Sequence, residues 1–305
     1  MSTTLTQSSA RISPREKVAA YVALTKPRII ELLLVTALPT MVLAAGGLPP
    51  LVPVLATLIG GFLSAGSANT FNMILDRDID KVMQRTQARP LVTGAVSVRE
   101  AHVFAWVLAV ISTVILGVFA NWIAAAFSVA AILFYVLIYT MLLKRRTEQN
   151  IVWGGIAGCF PVVIGWSAVT GGVDWPAWIL FTLVFLWTPA HYWPLSMKYR
   201  SDYSAANVPM LAVVRGKRIV GIQVILYAWA SFACTMMLIP VAGMGLLFTA
   251  VAIGAGAWFV AESHMLYSRA LREVGEIKAM RVFHASNLYL TLVFISVGID
   301  PLLPF

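Results

Sequence analysis

Asn72, Asp76 and Asp80 stand four residues apart at the end of a long apolar run, in the segment Ser67-Ala-Asn-Thr-Phe-Asn-Met-Ile-Leu-Asp-Arg-Asp-Ile-Asp80. On a helix the spacing i, i+4, i+8 places all three on one stripe. Two carboxylates and an amide at a membrane boundary are costly to desolvate, and the carboxylates repel each other. A divalent cation between them reverses both effects. Mg²⁺ takes hard oxygen ligands, usually one or two carboxylates completed by substrate phosphates. Asp78 falls about 200° round the helix at 3.6 residues per turn and is predicted to pair with Arg77 or Lys81. Basic residues follow closely: Arg85 and Arg89, then Lys144, Arg145 and Arg146, then Lys198 and Arg200 ahead of Asp202. Carboxylates that hold Mg²⁺, ringed by Arg and Lys, make a site for a diphosphate leaving group. The competing reading is a mixed-charge loop that is merely solvated. The helical spacing weighs against it, as does the scarcity of acids, 13 in 305 residues.

The elements that position these groups are membrane helices. Hydrophobic residues make up 60% of the chain and charged ones 11%, less than half the charge of an ordinary soluble domain. A cytosolic enzyme, a disordered chain and a fibrous repeat are excluded. Nine stretches reach the length of about 20 apolar residues that a span needs: 29–47, 51–74, 102–120, 122–143, 151–170, 177–196, 219–240, 244–263 and 284–303. Residues 1–28 are expected to be a cytoplasmic tail, with no signal peptide, and 29–303 a single domain. All 22 Lys and Arg fall in the tail or in alternate loops, the opposite side carrying only Asp174 and Asp300. The positive-inside bias therefore places the N-terminus in the cytoplasm and the C-terminus outside. The net charge of +9 is topological and does not indicate nucleic acid. The two longest loops, 75–101 and 197–218, share the cytoplasmic face, and chemistry is expected there. Cys159 and Cys234 lie in apolar segments with no thiol or imidazole at ligand spacing, and read as buried hydrophobes.

Four segments taken together resemble the UbiA superfamily of intramembrane prenyltransferases, and its haem-farnesylating branch in particular. They are the Asn72-x3-Asp76-x3-Asp80 motif, Leu24-Thr-Lys-Pro-Arg28, Leu143-Lys-Arg-Arg-Thr-Glu-Gln-Asn-Ile151, and Trp187-Thr-Pro-Ala-His-Tyr-Trp193 running on to Asp202-Tyr-Ser-Ala-Ala-Asn-Val-Pro-Met-Leu211. The resemblance implies an all-α polytopic membrane protein, nine transmembrane helices around a central cavity. It implies transfer of farnesyl from farnesyl diphosphate to a vinyl group of protohaem IX, with water adding to give haem O, in the cell inner membrane. Membrane lipid surrounds such an enzyme, and a haem A synthase would suit as the recipient of its product. Asn72, Asp76 and Asp80 match the metal motif, with Mg²⁺ as cofactor. Lys26, Arg28, Arg85, Arg89, Lys144, Arg145, Lys198 and Arg200 are the candidates for diphosphate neutralisation. The sequence departs from the superfamily at its second acidic motif. Asp202 has Ala206 at i+4 and Lys198 at i−4, so one carboxylate stands where many members have two, and Lys198 or Arg200 is expected to supply charge there.

His191 lies inside the sixth span beside Tyr192 and Trp193. An ionisable side chain within a span marks a functional site by default, imidazole is a common axial ligand of haem iron, and His191 is the candidate haem contact. Packing alone is the alternative. His102, His264 and His284 sit at span ends, where interfacial roles are expected. Two rival functions remain at this point. One is a UbiA-type prenyltransferase acting on a quinone precursor or chlorophyllide. The other is an ion-coupled secondary transporter, although such proteins place their acids near the bilayer midplane.

Overall fold

Pro and Gly punctuate the chain where helices begin and end. The computed structural model describes residues 13–272 and 276–303, leaving out the side chains of 28–34. The first helix, α1 (Pro14–Thr25), opens with a capping box in which Ser13 and Glu16 satisfy each other's backbone N–H groups. Then follow α2 (Pro27–Ala45), α3 (Leu51–Leu75), and in the first long loop α4 (Arg77–Val82) and α5 (Pro90–Thr93). A second capping box, Ser97 with Glu100, starts α6 (Val98–Phe119). The next span is α7 (Trp122–Leu133), continued by a π-helical stretch Phe134–Leu143. Helix α8 (Asn150–Gly154), a 3₁₀ stretch Gly155–Cys159 and α9 (Phe160–Thr170) form one further crossing. Helix α10 (Trp175–Lys198) leads into α11 (Arg200–Ala205) and α12 (Leu211–Val214). The chain closes with α13 (Lys217–Ala242), α14 (Leu246–Arg272) and α15 (Ala279–Ile299). No strand occurs among the described residues.

Seven helical segments among the described residues are long and apolar enough to cross a membrane. The other two expected spans coincide with α2, whose described apolar part is Val35–Ala45, and with α10. Trp, Tyr, His and three Pro lower the hydropathy of α10; Trp187, Pro189, Trp193 and Pro194 among them are buried, while Trp175 and Trp178 near its start are exposed. The expected tail is corrected in part. Pro14–Thr25 is a packed helix, with Ala20 and Leu24 buried against Met73, Leu91 and Ala101.

The helices close a ring. On one side α2, α3, α6, α7 and α9 pack in succession; on the other α10, α13, α14 and α15 do so; α15 against α2, and α8 against α10, join the halves. Lipid offers little hydrophobic gain to helix association, so small and hydroxyl residues supply the contacts. Ser112 donates to the Gly60 carbonyl and Ser67 to the Ala105 carbonyl, each at 2.8 Å, fastening α3 to α6. The opposite face of α6 exposes Val103, Trp106, Val110, Val114 and Val118, the lipid stripe of an amphipathic span. Cys159 and Cys234 are both free and buried.

Candidate active site

The acidic stripe survives the end of α3 because the backbone ladder does. Asp76 N–H donates to the Asn72 carbonyl and Asp80 N–H to the Asp76 carbonyl, both at 2.9 Å. The three side chains therefore stay on one inward face although α3 gives way to α4 between them. Asn72, Asp76 and Asp80 are all buried, Asp76 completely. A buried carboxylate must be compensated, and each one is. Lys144 pairs with Asp76 Oδ2, which also accepts from Asn72 Nδ2 at 2.7 Å. Arg89 donates to both oxygens of Asp80, at 2.7 and 2.6 Å. Asp76 Oδ1 accepts no hydrogen bond, with the Arg145 guanidinium 3.6 Å away. Asp78 points outward and pairs with Arg145 at 2.6 Å, not with Arg77 or Lys81 as expected. That pair holds its carboxyl below the usual carboxylate range.

Two unusual backbone features aim cations at this stripe. Lys26, at the corner between α1 and α2, has φ 53° and ψ 60°, a left-handed conformation that costs a non-glycine residue on the order of 1 kcal/mol or more. The corner turns its side chain inward, where Nζ donates to Asn72 Oδ1 at 2.8 Å. Burial, with Arg89 and Lys144 close by, pushes this ammonium down to about 7, and an arriving anion would draw it back up. Lys144 follows the π-helical stretch, its N–H donating to the carbonyl of Tyr139, five residues back, at 2.8 Å. Such stretches are rare and cluster at functional sites. Here the wider turn brings Tyr135, Tyr139 and Lys144 to one cavity, with the two tyrosine rings stacked at 5.3 Å. Thr140, on the same stretch, accepts from Asn72 Nδ2 at 3.1 Å. Gly154 makes room for Tyr139: a Cβ there would lie 2.2 Å from the ring.

The two long loops meet over the stripe. Arg85 donates to the Tyr203 hydroxyl at 2.9 Å, lies over the Tyr199 and Tyr203 rings, and its backbone N–H donates to Asp202 at 3.3 Å. Tyr203 in turn shares a 2.7 Å hydrogen bond with Tyr192. Asp202 thus ties the second loop to the first. Lys198 and Arg200 are exposed and absent from the cavity wall, because α10 runs past the cavity before they occur. The expectation that they supply charge at the site is corrected. The Arg28 side chain lies outside the described residues.

Below this charged lid lies a cavity of about 350 Å³, within the range of small-molecule sites. Lys26, Asn72, Asp80, Arg85, Arg89 and Lys144 line its polar end; Trp187, Thr188, His191 and Tyr192 line its middle; Ala, Gly, Ile and Phe residues dominate below. His191 is stacked between Trp187, at 4.2 Å, and Phe283, at 4.6 Å. Its Nδ1 lies 2.9 Å from Ser286 Oγ, and that hydroxyl donates to the Phe283 carbonyl at 2.8 Å. The hydroxyl proton being so used, Ser286 accepts from Nδ1–H and leaves Nε2 with a free lone pair. His264 accepts from Trp229 at 3.1 Å and His102 bonds its own helix, both away from the cavity. Sequence reasoning passed over Tyr135, Tyr139, Thr140, Tyr203 and Ser286. Two tyrosines one turn apart, deep in an apolar span, were the available signal.

A groove with an apolar floor and a cationic, carboxylate-bearing rim suits a lipid-like chain carrying an anionic head. Comparison with known proteins agrees. Residues 33–287 match the UbiA prenyltransferase family. The chain is 65% identical over 294 residues to the protoheme IX farnesyltransferase of Clavibacter michiganensis subsp. michiganensis, covering 96% of each chain. It is 64% identical over 295 residues to that of Leifsonia xyli subsp. xyli, covering 97% of this chain and 96% of the other. Among solved structures, digeranylgeranylglyceryl phosphate synthase superposes with a TM-score of 0.76 at 17% identity, over 94% of this chain and 99% of that one. A UbiA homolog from Archaeoglobus fulgidus, bound to DMAPP and Mg²⁺, gives 0.68 at 15%, over 92% and 99%. The chain belongs to the UbiA prenyltransferase family and is a multi-pass membrane prenyltransferase.

Proposed function

We propose that the protein transfers farnesyl from farnesyl diphosphate to a vinyl group of protohaem IX, yielding haem O and diphosphate. The observation that carries this reading is the arrangement of Lys26, Arg85, Arg89 and Lys144 round the polar end of an apolar cavity, in a chain so similar to enzymes of that name. The C1–oxygen bond of the prenyl diphosphate breaks with its electron pair going to the diphosphate. The vinyl terminus then bonds to C1, and water takes the adjacent carbon and loses a proton. The four cations neutralise the charge that builds on the leaving group. The aromatic faces of Tyr135, Tyr139 and Trp187 shield the allylic cation. The protein holds the two substrates within reach of each other.

Asn72 Oδ1, Asp76 and Asp80 fit Mg²⁺: the donors are hard oxygens on one stripe, and buried Asp76 Oδ1 has no hydrogen bond to lose. Bound there, Mg²⁺ would add positive charge against the diphosphate. The cations now on these carboxylates would turn to the phosphates, so every buried charge stays compensated before and after substrate arrives. His191, its Nε2 unpaired, is proposed to face the haem. The acids stand together at one end of the bundle, which favours an enzyme over an ion-coupled transporter. We place residues 29–303 in one nine-helix domain of the inner membrane, with the N-terminus cytoplasmic and the C-terminus outside, handing haem O to a haem A synthase.

The test is purified protein in lipid with farnesyl diphosphate, protohaem and Mg²⁺. Diphosphate release together with a haem gaining one farnesyl group and one hydroxyl is expected, and chelation should stop it. Prenylation of a quinone precursor but not of haem would overturn the acceptor.

A further inference from the structure

We propose that the floor of the cavity sets the length of the prenyl chain, with Thr57 as the stop and Gly158 as the open wall above it. The inference rests on the proposed farnesyl transfer for its direction, since it takes the diphosphate to sit at the Lys26–Asn72 end. Helix α3 gives the depth scale. Its cavity-lining positions run from Asn72 through Ala68 and Gly61 to Thr57. With the diphosphate at Asn72, C1 falls one turn deeper, beside Ala68. From Ala68 to Thr57 is eleven residues, ~16 Å at about 1.5 Å per residue.

An extended chain advances ~3.5 Å for every three bonds. The twelve-carbon main chain of farnesyl therefore spans about 13 Å on that scale. Its terminal methyl groups end roughly 3–4 Å short of Thr57, which is van der Waals contact. A geranylgeranyl chain spans about 18 Å on the same scale and overruns the floor. A geranyl chain, at about 8 Å, leaves about the lower half empty.

The floor is closed and the wall is open. Thr57 is 1% exposed and its hydroxyl has no hydrogen-bond partner. Thr40 and Thr70 instead bond the carbonyl four residues back in their helices. Gly158 lines the same cavity from the 3₁₀ stretch before α9, and a Cβ placed there meets nothing within 4 Å. Its φ is not left-handed, so a side chain can be added there without straining the backbone.

The experiment gives wild type, Thr57→Ala, Gly158→Ala and Gly158→Leu an equimolar mixture of geranyl, farnesyl and geranylgeranyl diphosphates. Products are read by haem mass, and binding by competition among the three diphosphates in the absence of haem. Gly158→Leu is expected to shift preference from farnesyl toward geranyl by about tenfold or more, the scale of a misfitting methylene or larger group. Thr57→Ala should raise geranylgeranyl relative to farnesyl severalfold. Gly158→Ala, small enough to keep the fold, should move in the same direction as the leucine variant by a lesser factor. Unchanged ratios in both Thr57→Ala and Gly158→Ala would overturn the proposal. If no haem is prenylated by any of the diphosphates, the acceptor reading fails by itself, and the binding competition still decides the chain-length question.

Discussion

Lys26 Nζ donates to Asn72 Oδ1 at 2.8 Å, joining the corner between the first two helices to the last turn of α3. The contact is bought with a left-handed lysine ahead of a proline, a position where that conformation is doubly disfavoured. Strain of this kind persists where the surroundings hold it and the function uses it. Lys26→Met should raise KM for the prenyl diphosphate by about 10- to 100-fold, the scale of one charge-assisted hydrogen bond. Thermal stability should change little or improve, since a buried cation is removed. Steady-state kinetics with a melting curve on the same preparation checks both, and an unchanged KM would remove Lys26 from the diphosphate site.

Asp76, Asp80 and Asp78 separate cleanly. Asp76→Asn and Asp80→Asn should each lower turnover about a hundredfold or more, the size of losing one preorganised electrostatic contact. Both variants keep volume and polarity, so insertion and folding should persist. Asp78 is 63% exposed and pairs with Arg145 at the rim; exposed pairs of this kind contribute about 0–1 kcal/mol. Asp78→Ala should therefore cost less than about fivefold. Turnover at varied Mg²⁺ distinguishes the three, and an Asp78 variant as damaged as the others would refute the assignment of the inward stripe.

The stripe was legible in the sequence because its i, i+4 spacing outlasts the end of α3, where the backbone ladder carries on through Asp76. The spans were legible because lipid demands long apolar runs whatever the tertiary structure. Helix α10 was legible as the stretch 177–196 even though Trp187, Thr188, His191 and Tyr192 on it line the cavity. The π-helical stretch was not legible: a turn held by hydrogen bonds from five residues back has no distinct residue pattern, so Tyr135, Tyr139 and Lys144 converge in a way that helical spacing does not suggest. Nor was the docking of the two loops, because Arg85 meets Tyr203 across 118 positions. Basic residues near Asp202 looked equivalent on the page, and only the path of α10 past the cavity sets Lys198 and Arg200 apart from Arg85.

Asp300 secures the opposite end of the bundle. Its carboxylate accepts from the backbone N–H groups of Gly245 and Phe248, at 2.5 and 3.0 Å, and so caps α14 from the end of α15. Loss of such a cap costs on the order of 1–2 kcal/mol. Asp300→Ala should lower the melting temperature by several degrees while leaving KM for the prenyl diphosphate unchanged, and Asp300→Asn should recover most of the stability. A kinetic defect in a fully folded Asp300→Ala protein would show that this end communicates with the site.

His191 offers the sharpest test of the acceptor. Its ring is clamped between Trp187 and Phe283, and Ser286 takes up Nδ1, so Nε2 is the nitrogen left for a ligand. A second partner that fixes the tautomer is the usual arrangement for a metal-binding imidazole, and losing it typically costs about 10- to 100-fold in affinity. His191→Gly should weaken haem binding by at least that factor, with the affinity for farnesyl diphosphate unchanged. The separation follows from depth: His191 lies seven residues, or ~10 Å at about 1.5 Å per residue, inside the end of α10, below the charged lid. Ser286→Ala should weaken haem binding by a smaller factor, because the ring stays stacked but loses its tautomer control. Added imidazole should restore haem binding to His191→Gly and not to Ser286→Ala, where the histidine still fills the space. Optical titration of haem alongside prenyl diphosphate binding in each variant reads all of these outcomes. A parallel loss of both affinities in His191→Gly, with no rescue, would assign the histidine to packing.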